Sequence, residues 1–302
     1  MTITTSEAKA ALLRSGYLLE SRVESALRNA GYYVEANASY PDPITGKSRE
    51  FDLSALAAHH CGPDEMDFLF PVLLVECVNN PEPFALITKD PIVPFLHHHE
   101  VKVSGLPVKF PESEPEDSWV SLTDFLGFDK YHHYCTGRIA TQFCSFQKKK
   151  DGSQWMAWHD EQHFDALKKL CDVVENAQHR HFADWVFNGR EDVNIQIYYP
   201  VLILQGELWD VRPSKKGLSV KRVRHLQYRR SVATSKGEVE FQIDVIEERF
   251  LKSYLGIVDT EVTKAARLLR RRHAAVRVAL DEITAKAKAA ATPEERREAM
   301  DF

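Results

Sequence analysis

Two carboxylates stand where carboxylates are expensive. In Ser48–His60, SREFDLSALAAHH, Asp52 sits between Phe51 and Leu53. In Pro71–Phe84, PVLLVECVNNPEPF, Glu76 ends the apolar run Val72–Val75. A charged side chain on a strand bound for the interior is costly unless it is paired or holds a cation. If the two strands are neighbours, the acids converge at one edge of a sheet. Mg²⁺ takes oxygen ligands in octahedral geometry, commonly one or two protein carboxylates with waters and a substrate phosphate. A bound metal acidifies its water and neutralises charge developing on phosphate. The chemistry these acids could do is therefore phosphodiester hydrolysis, with Asp52 and Glu76 as ligands of Mg²⁺ (or Mn²⁺). The plainer alternative pairs Asp52 with Arg49 and leaves Glu76 in solvent at the end of its strand.

The flanking sequence supplies elements that could position the pair. Residues 6–30 read as a helix, with Leu12, Leu13, Leu19, Val23, Ala26 and Leu27 at helical spacing and Gly31 as a stop. Tyr32–Tyr40 turns strand-like, and PDPITGK at 41–47 is a tight connection. Arg49–Ala57 is a second strand and Val72–Val78 a third, apolar on both faces as in the centre of a covered sheet. Residues 80–120, rich in proline and carrying PESEPEDS, read as an excursion. Residues 130–147 are ambiguous, with a helical reading, and 147–158 is a hairpin or loop. Glu161–Phe187 is an amphipathic helix, 194–211 a strand or strand pair, EFQIDVIEERF one more strand, and 259–290 a long Ala- and Arg-rich helix. The tail after Thr292 is polar and expected to fray. This order implies a mixed α/β fold, a central sheet flanked by helices. Two regions follow: a core over 1–211 with an insertion at about 80–130, then a basic segment, strand and long C-terminal helix over 212–302 packed on that core.

The stretch YLLESRVESALRNAGYYVEANASYPDPITGKSREFDLSALA…PVLLVECVNNPEPF resembles the PD-(D/E)XK restriction-endonuclease-like superfamily. More narrowly it resembles the bacterial branch with a Glu-bearing first helix, a Gly-aromatic turn, an R-E-apolar-D-apolar strand and an apolar V-E-C-K strand. Glu20 matches the helix Glu, Arg49-Glu50-Phe51-Asp52-Leu53 the second element, and Val75-Glu76-Cys77-Val78 the third. The match covers about the first 85 residues. It implies a restriction-endonuclease-like core with insertions and a C-terminal helical extension, metal held by Asp52 and Glu76, help from Glu20, and a role in defence or repair. The departure is Val78, which stands where the family lysine positions the attacking water and offsets charge at the phosphate. Either another side chain takes over the role, with Asn79, Asn80, Lys47 and Lys89 as candidates, or the site has lost catalysis and kept a binding surface. Asn79 could orient a water but brings no charge, whereas Lys89 brings an ammonium. Gln142, in TQFCSF, is similar to a Gln-x-x-x-aromatic pattern on a core helix of some relatives, and ordinary surface is the plainer reading. Glu24 shares a helix face with Glu20.

The pairs and triplet His59-His60, His97-His98-His99 and His132-His133 do not read as structural-metal ligands, because adjacent histidines on a strand point apart and chelation usually needs wider spacing. Residues 211–237 hold nine Lys or Arg and no acid. With the whole chain at −5, the remainder carries −14, which is −5 less +9. Such segregation reads as a phosphate footprint in which Lys221, Arg222, Arg224, Arg229 and Arg230, with Tyr228 between, track a nucleic-acid backbone. The alternative is a solvated hairpin paired with the acidic strand 238–248. The last helix has an apolar stripe of Leu268, Leu269, Val276 and Leu280, which packs on the body or forms a homodimer or protein-partner contact.

Composition bounds these readings. At 302 residues and 44% hydrophobic, the chain can bury a sizeable core. Its five cysteines form no CxxC pair, which disfavours a zinc ribbon or disulfide framework. The N-terminus lacks the pattern of a signal peptide, and no run approaches a membrane span. A reducing cytoplasm is the expected location and nucleic acid, DNA foremost, the expected partner. The expected function is a divalent-metal-dependent nuclease hydrolysing DNA; the alternative is an inactive nuclease-like module that binds nucleic acid or a protein.

Overall fold

The apolar runs that carry the two acids lie side by side in one large sheet. The computed structural model of the chain describes every residue except 1, 16, 44, 81, 91–100, 112–118, 160, 188–191, 216, 235–236 and 290–302. His97-His98-His99, most of the acidic loop PESEPEDS and the polar tail fall outside the described residues.

The stretch expected to form one helix over 6–30 is two, α1 (Thr5–Arg14) and α2 (Tyr17–Asn29). A capping box between Thr4 and Glu7 starts α1, and extended backbone at Ser15 ends it. Helix α2 buries Leu19, Val23 and Leu27, the 3.6-residue stripe visible in sequence. Then come β1 (Tyr33–Pro41), β2 (Ser48–Leu56), the short β3 (His59–His60) and β4 (Phe68–Val78). Strand β5 (Phe84–Lys89) falls inside the expected excursion, yet it is a full member of the sheet. Its residues Phe84, Ala85 and Leu86 are wholly buried. The short β6 (Lys102–Ser104), a separate ladder of β7 (Lys109–Pro111) with β8 (Trp119–Ser121), and α3 (Leu122–Leu126) follow.

The ambiguous stretch 130–147 is one turn of helix, α4 (His133–Thr136), and then β9 (Ile139–Lys148), which forms a hairpin with β10 (Trp155–Trp158). Strand pairing against β5 and β14 decides it over the helical reading. After α5 (Glu161–Phe187) come β11 (Asn194–Leu204), β12 (Leu208–Ser214), β13 (Gly217–Val223), β14 (His225–Thr234), β15 (Gly237–Glu247), α6 (Leu251–Arg271) and α7 (His273–Ala289). The C-terminal helix expected over 259–290 therefore starts earlier and is divided at Arg272, where the backbone leaves helical geometry. Residue 211 lies inside β12, so the sheet runs across the boundary expected there.

The sheet order is β1-β2-β4-β11-β15-β14-β9-β5-β12-β13. Its centre is parallel, β4 and β15 flanking β11. Both faces of this centre are covered, which explains the near-continuous apolar runs. On one face Val72, Leu74 and Val78 of β4 pack with Tyr198, Leu202 and Leu204 of β11 and with Leu167, Leu170 and Val174 of α5. On the other, Leu73, Val75, Val201 and Ile203 meet Leu19 of α2, Val258 of α6 and Leu280 of α7. The apolar stripe of the last helices, including Leu269 and Val276, is spent on this core. Among the described residues no helix is long and apolar enough to cross a membrane.

The helical layer over α6 also encloses polar side chains. Asp244 of β15, fully buried, accepts from His225 Nε2 at 2.7 Å and from the Tyr254 hydroxyl at 2.6 Å. His133 lies 3.0 Å from both Asp244 oxygens through Nε2, and 2.8 Å from Glu261 through Nδ1. Burial works against a charged ring, but the two carboxylates outweigh it and push His133 up to about 10.

Candidate active site

Strands β2 and β4 pair antiparallel from Leu56 opposite Val72 to Leu53 opposite Val75, and there the ladder stops. The next residues are Asp52 and Glu76. Asp52 Oδ2 accepts the Cys77 N–H at 2.7 Å, and Glu76 Oε1 accepts the Asp52 N–H at 3.4 Å. Each carboxylate thus takes a backbone donor left over as the strands splay, which keeps both side chains in the gap. Across β1, the register that pairs Ala36 with Leu53 and Ala38 with Phe51 sets Asn37 against Asp52. Asn37 is the one non-glycine residue of positive φ (52°) among the described residues. Asparagine tolerates that left-handed conformation better than most side chains. The facing of β2 changes here: Phe51 joins the α5 layer, whereas Leu53 joins the α2 layer.

An ammonium reaches the acids from α5. Lys169 Nζ lies 2.7 Å from Glu76 Oε2. Burial of Leu167, Leu170 and Val174 is worth about 1.5–3 kcal/mol per side chain, so packing rather than the ion pair docks the helix and brings Lys169 to the acids. Its neighbour Lys168 is held one turn away, 2.7 Å from Asp172. Val78 shares a sheet face with Glu76 and is buried in the cluster of Phe84, Leu204 and Leu208.

The field at the site is negative and poorly solvated. Glu76 is 4% exposed. Burial first, and then the charge of Asp52, push its carboxyl up to about 7, against the pull of Lys169. Burial likewise raises Asp52, opposed by the Cys77 N–H and by Lys169. Glu20, half-buried in the first turn of α2, is raised by burial and then by Asp52, and lowered by Lys169. Three carboxylates and one ammonium leave a deficit of two positive charges when all are ionised. One divalent cation on Asp52 and Glu76 makes up that deficit, so the donor set fits Mg²⁺ or Mn²⁺.

Other expected site residues fall elsewhere. Arg49 pairs with Asp42, not with Asp52. Glu24 is 2.8 Å from Arg28. Asn79 follows β4 half-buried, and Asn80 bridges the Glu82 carbonyl and the Gly206 N–H. Lys47 is exposed in the turn before β2. Lys89 ends β5 opposite Ile139, five residues past Phe84, on the order of 17 Å further along at about 3.3 Å per residue. Neither lysine is the ammonium found beside Glu76. Gln142 is exposed on strand β9, not on a helix.

The basic segment does not form one surface. Lys221 and Arg224 are exposed, but Arg222 lies 2.6 Å from Glu207 and Arg229 pairs with Glu240 of the acidic strand. Arg230 lies over the Phe164 ring of α5, 4.1 Å from its centroid. Arg229 and Arg230, adjacent on a strand, face opposite ways and cannot track one backbone together.

Beside the acids a cleft of about 520 Å³ runs between α5 and the first strands, lined by Tyr40, Phe51, Leu74, Asn176 and Arg180. Phe51 adjoins Asp52, and Arg180 lies three helical turns from Lys169, so the cleft leads along the helix from the acids. No family model, no curated protein and no solved structure matches this chain.

Proposed function

We propose that the chain is a divalent-metal-dependent nuclease that hydrolyses phosphodiester bonds of DNA on a restriction-endonuclease-like core. The observation that carries the reading is the Lys169 ammonium 2.7 Å from Glu76, beside Asp52. Two carboxylates and an ammonium converge there although the local motif lacks its lysine. Asp52 and Glu76 would hold the metal, which when bound lowers the pKa of a coordinated water and offsets charge on the phosphate. Lys169 orients the attacking water and stabilises the charge growing on the phosphoryl oxygens. Glu20 keeps the field negative and accepts from water at the site's rim. The scissile strand lies along the cleft, with Arg180, about 16 Å along the helix from Lys169, on a phosphate further down the strand.

A nucleic-acid partner is also supported by the β9–β10 hairpin. Trp155 and Trp158 are 54% and 57% exposed. Lys148 lies 5.2 Å from the Trp155 ring, with Lys149 and Lys150 beside it. Exposed aromatic faces among cations suit stacked bases and phosphates.

A non-catalytic nucleic-acid-binding module is the second reading. It is favoured by the satisfaction of both acids within the chain, by backbone donors and by Lys169. Incubation of supercoiled plasmid with the protein and Mg²⁺ or Mn²⁺ separates the two. The nuclease reading expects nicking that EDTA stops and that Asp52→Asn abolishes; asparagine still accepts the Cys77 N–H, so the fold survives. No cleavage with either metal, or cleavage that persists in Asp52→Asn, overturns it.

A further inference from the structure

We propose a second metal site, distinct from the acids near α5, in which His133, His225 and Asp244 bind a first-row divalent cation of the zinc class. Their ligand atoms, one from each residue, all lie within 4.8 Å of one another. The residues come from α4, β14 and β15, and the carboxylate is fully buried. Zinc bonds of about 2.0–2.2 Å in tetrahedral geometry separate ligand atoms by roughly 3.4 Å. His133 Nε2 is 3.0 Å from Asp244 and His225 Nε2 is 2.7 Å from it, so admitting the ion needs a widening of about 0.4 to 0.7 Å.

The surroundings are those of a metal-binding imidazole. His133 Nδ1 lies 2.8 Å from Glu261, which holds a proton on Nδ1 and leaves Nε2, on the Asp244 side, as the nitrogen that would take the ion. Such a carboxylate behind the ligand is a recurrent support of zinc-bound histidine. The Tyr254 hydroxyl, 2.6 Å from Asp244 Oδ2, steadies the carboxylate in the same way. Three protein ligands leave the fourth tetrahedral position to a water.

Charge points the same way. Asp244 and Glu261 are two buried carboxylates, which a divalent ion with neutral imidazoles balances. Two other groupings of similar residues lack these features. His132 Nδ1 accepts the Tyr134 N–H at 3.2 Å, so its proton sits on Nε2 and no lone pair is left for a metal. Asp67 is already used by the Val193 N–H, the Asp64 N–H and His273, which closes a loop.

The test uses the full chain carrying Asp52→Asn and Glu76→Gln, so that zinc bound at the first site does not count. After chelator stripping, Zn²⁺ is titrated against a chromophoric competitor at pH 7.5. One Zn²⁺ per chain is expected. His225→Ala, at the mostly buried rim, should weaken it at least about 100-fold, and Glu261→Gln roughly 10–100-fold. Cobalt in place of zinc should give the intense visible bands of a four-coordinate ion, a readout on unaltered ligands should His225→Ala not fold. No stoichiometric Zn²⁺, a featureless cobalt spectrum, or affinity unchanged in folded His225→Ala overturns the proposal.

Discussion

Replacing Lys169 by methionine keeps the aliphatic stem on α5 and removes the ammonium. Two unit charges 4 Å apart interact by about 4 kcal/mol at an effective dielectric of 20. The Lys169 side chain is 30% exposed, so solvent screening brings its hold on Glu76 to about 1–2 kcal/mol. At 1.36 kcal/mol per pKa unit, Glu76 should titrate roughly one unit higher than about 7. At pH 7 its ionised fraction then falls from about half to about a tenth. A proton on Glu76 excludes the cation, so the pH at which Mg²⁺ begins to raise the melting temperature should move alkaline by about one unit. Cleavage should fall at least 100-fold at every pH, the size expected for a lost charge-stabilising donor. At pH 5.5, where Glu76 is protonated in both proteins, the melting temperatures should agree within a few degrees. The assays are melting scans from pH 6 to 9 with and without Mg²⁺, and plasmid nicking. An unmoved or acid-shifted midpoint would refute the coupling of Lys169 to Glu76. Nicking at wild-type rate would refute its catalytic role.

Three further outcomes follow from the same geometry. Because Glu76 is raised from 4.5 to about 7, the folded chain gains stability below the lower value and loses it as pH rises toward 7, a loss of roughly 3 kcal/mol without metal; in urea denaturation under EDTA, Glu76→Gln should remove most of the difference between pH 5 and pH 8, and an unchanged difference would contradict the assigned burial. Val78→Lys should cost about 3 kcal/mol or more by setting an ammonium among Phe84, Leu204 and Leu208; a melting temperature equal to wild type would show that the side chain escapes this core. Lys221→Ala with Arg224→Ala should flatten the salt dependence of DNA binding by up to about two phosphate contacts, whereas Arg229→Ala should chiefly cost stability, about 1 kcal/mol, by releasing Glu240; an unaltered salt slope would remove β13 and β14 from the interface.

What the sequence disclosed, and what it hid, divides by range. Asp52 and Glu76 were legible because each interrupts an apolar run, and such runs report burial directly. Helix α5 was legible to the residue from its stripe of Leu167, Leu170 and Val174. Nothing in that stripe says that Lys169 turns to Glu76 while Lys168 turns to Asp172, because a partner 93 positions away leaves no local mark. His133 was set aside with its neighbour His132 on spacing alone, and His225 and Asp244 left no mark, because only β14–β15 pairing and the docking of α4 bring the three together. Charge density at 211–237 did not disclose the pairing, since a count of cations ignores the alternation that turns Arg229 and Arg230 apart. The helical reading of 130–147 failed because pairing with β5 outweighed local preference.

The division of the site between a strand pair and a helix has a consequence for how it can change. A lysine two residues after the glutamate is committed by the pleat: it must face the acids, and its strand cannot shift by one residue without turning the whole set over. A lysine on a helix is placed in steps of 1.5 Å and 100°, so a substitution elsewhere on α5, or a small slide of the helix on its bed of leucines, retunes the charge at the acids and leaves the sheet untouched. The acids are anchored by backbone donors at the splayed ladder, while their counter-charge rides on a separate body. Variation in this layout is therefore to be sought along α5, in the positions one turn either side of Lys169, where the ammonium can be moved, lengthened to a guanidinium or withdrawn without rebuilding the core.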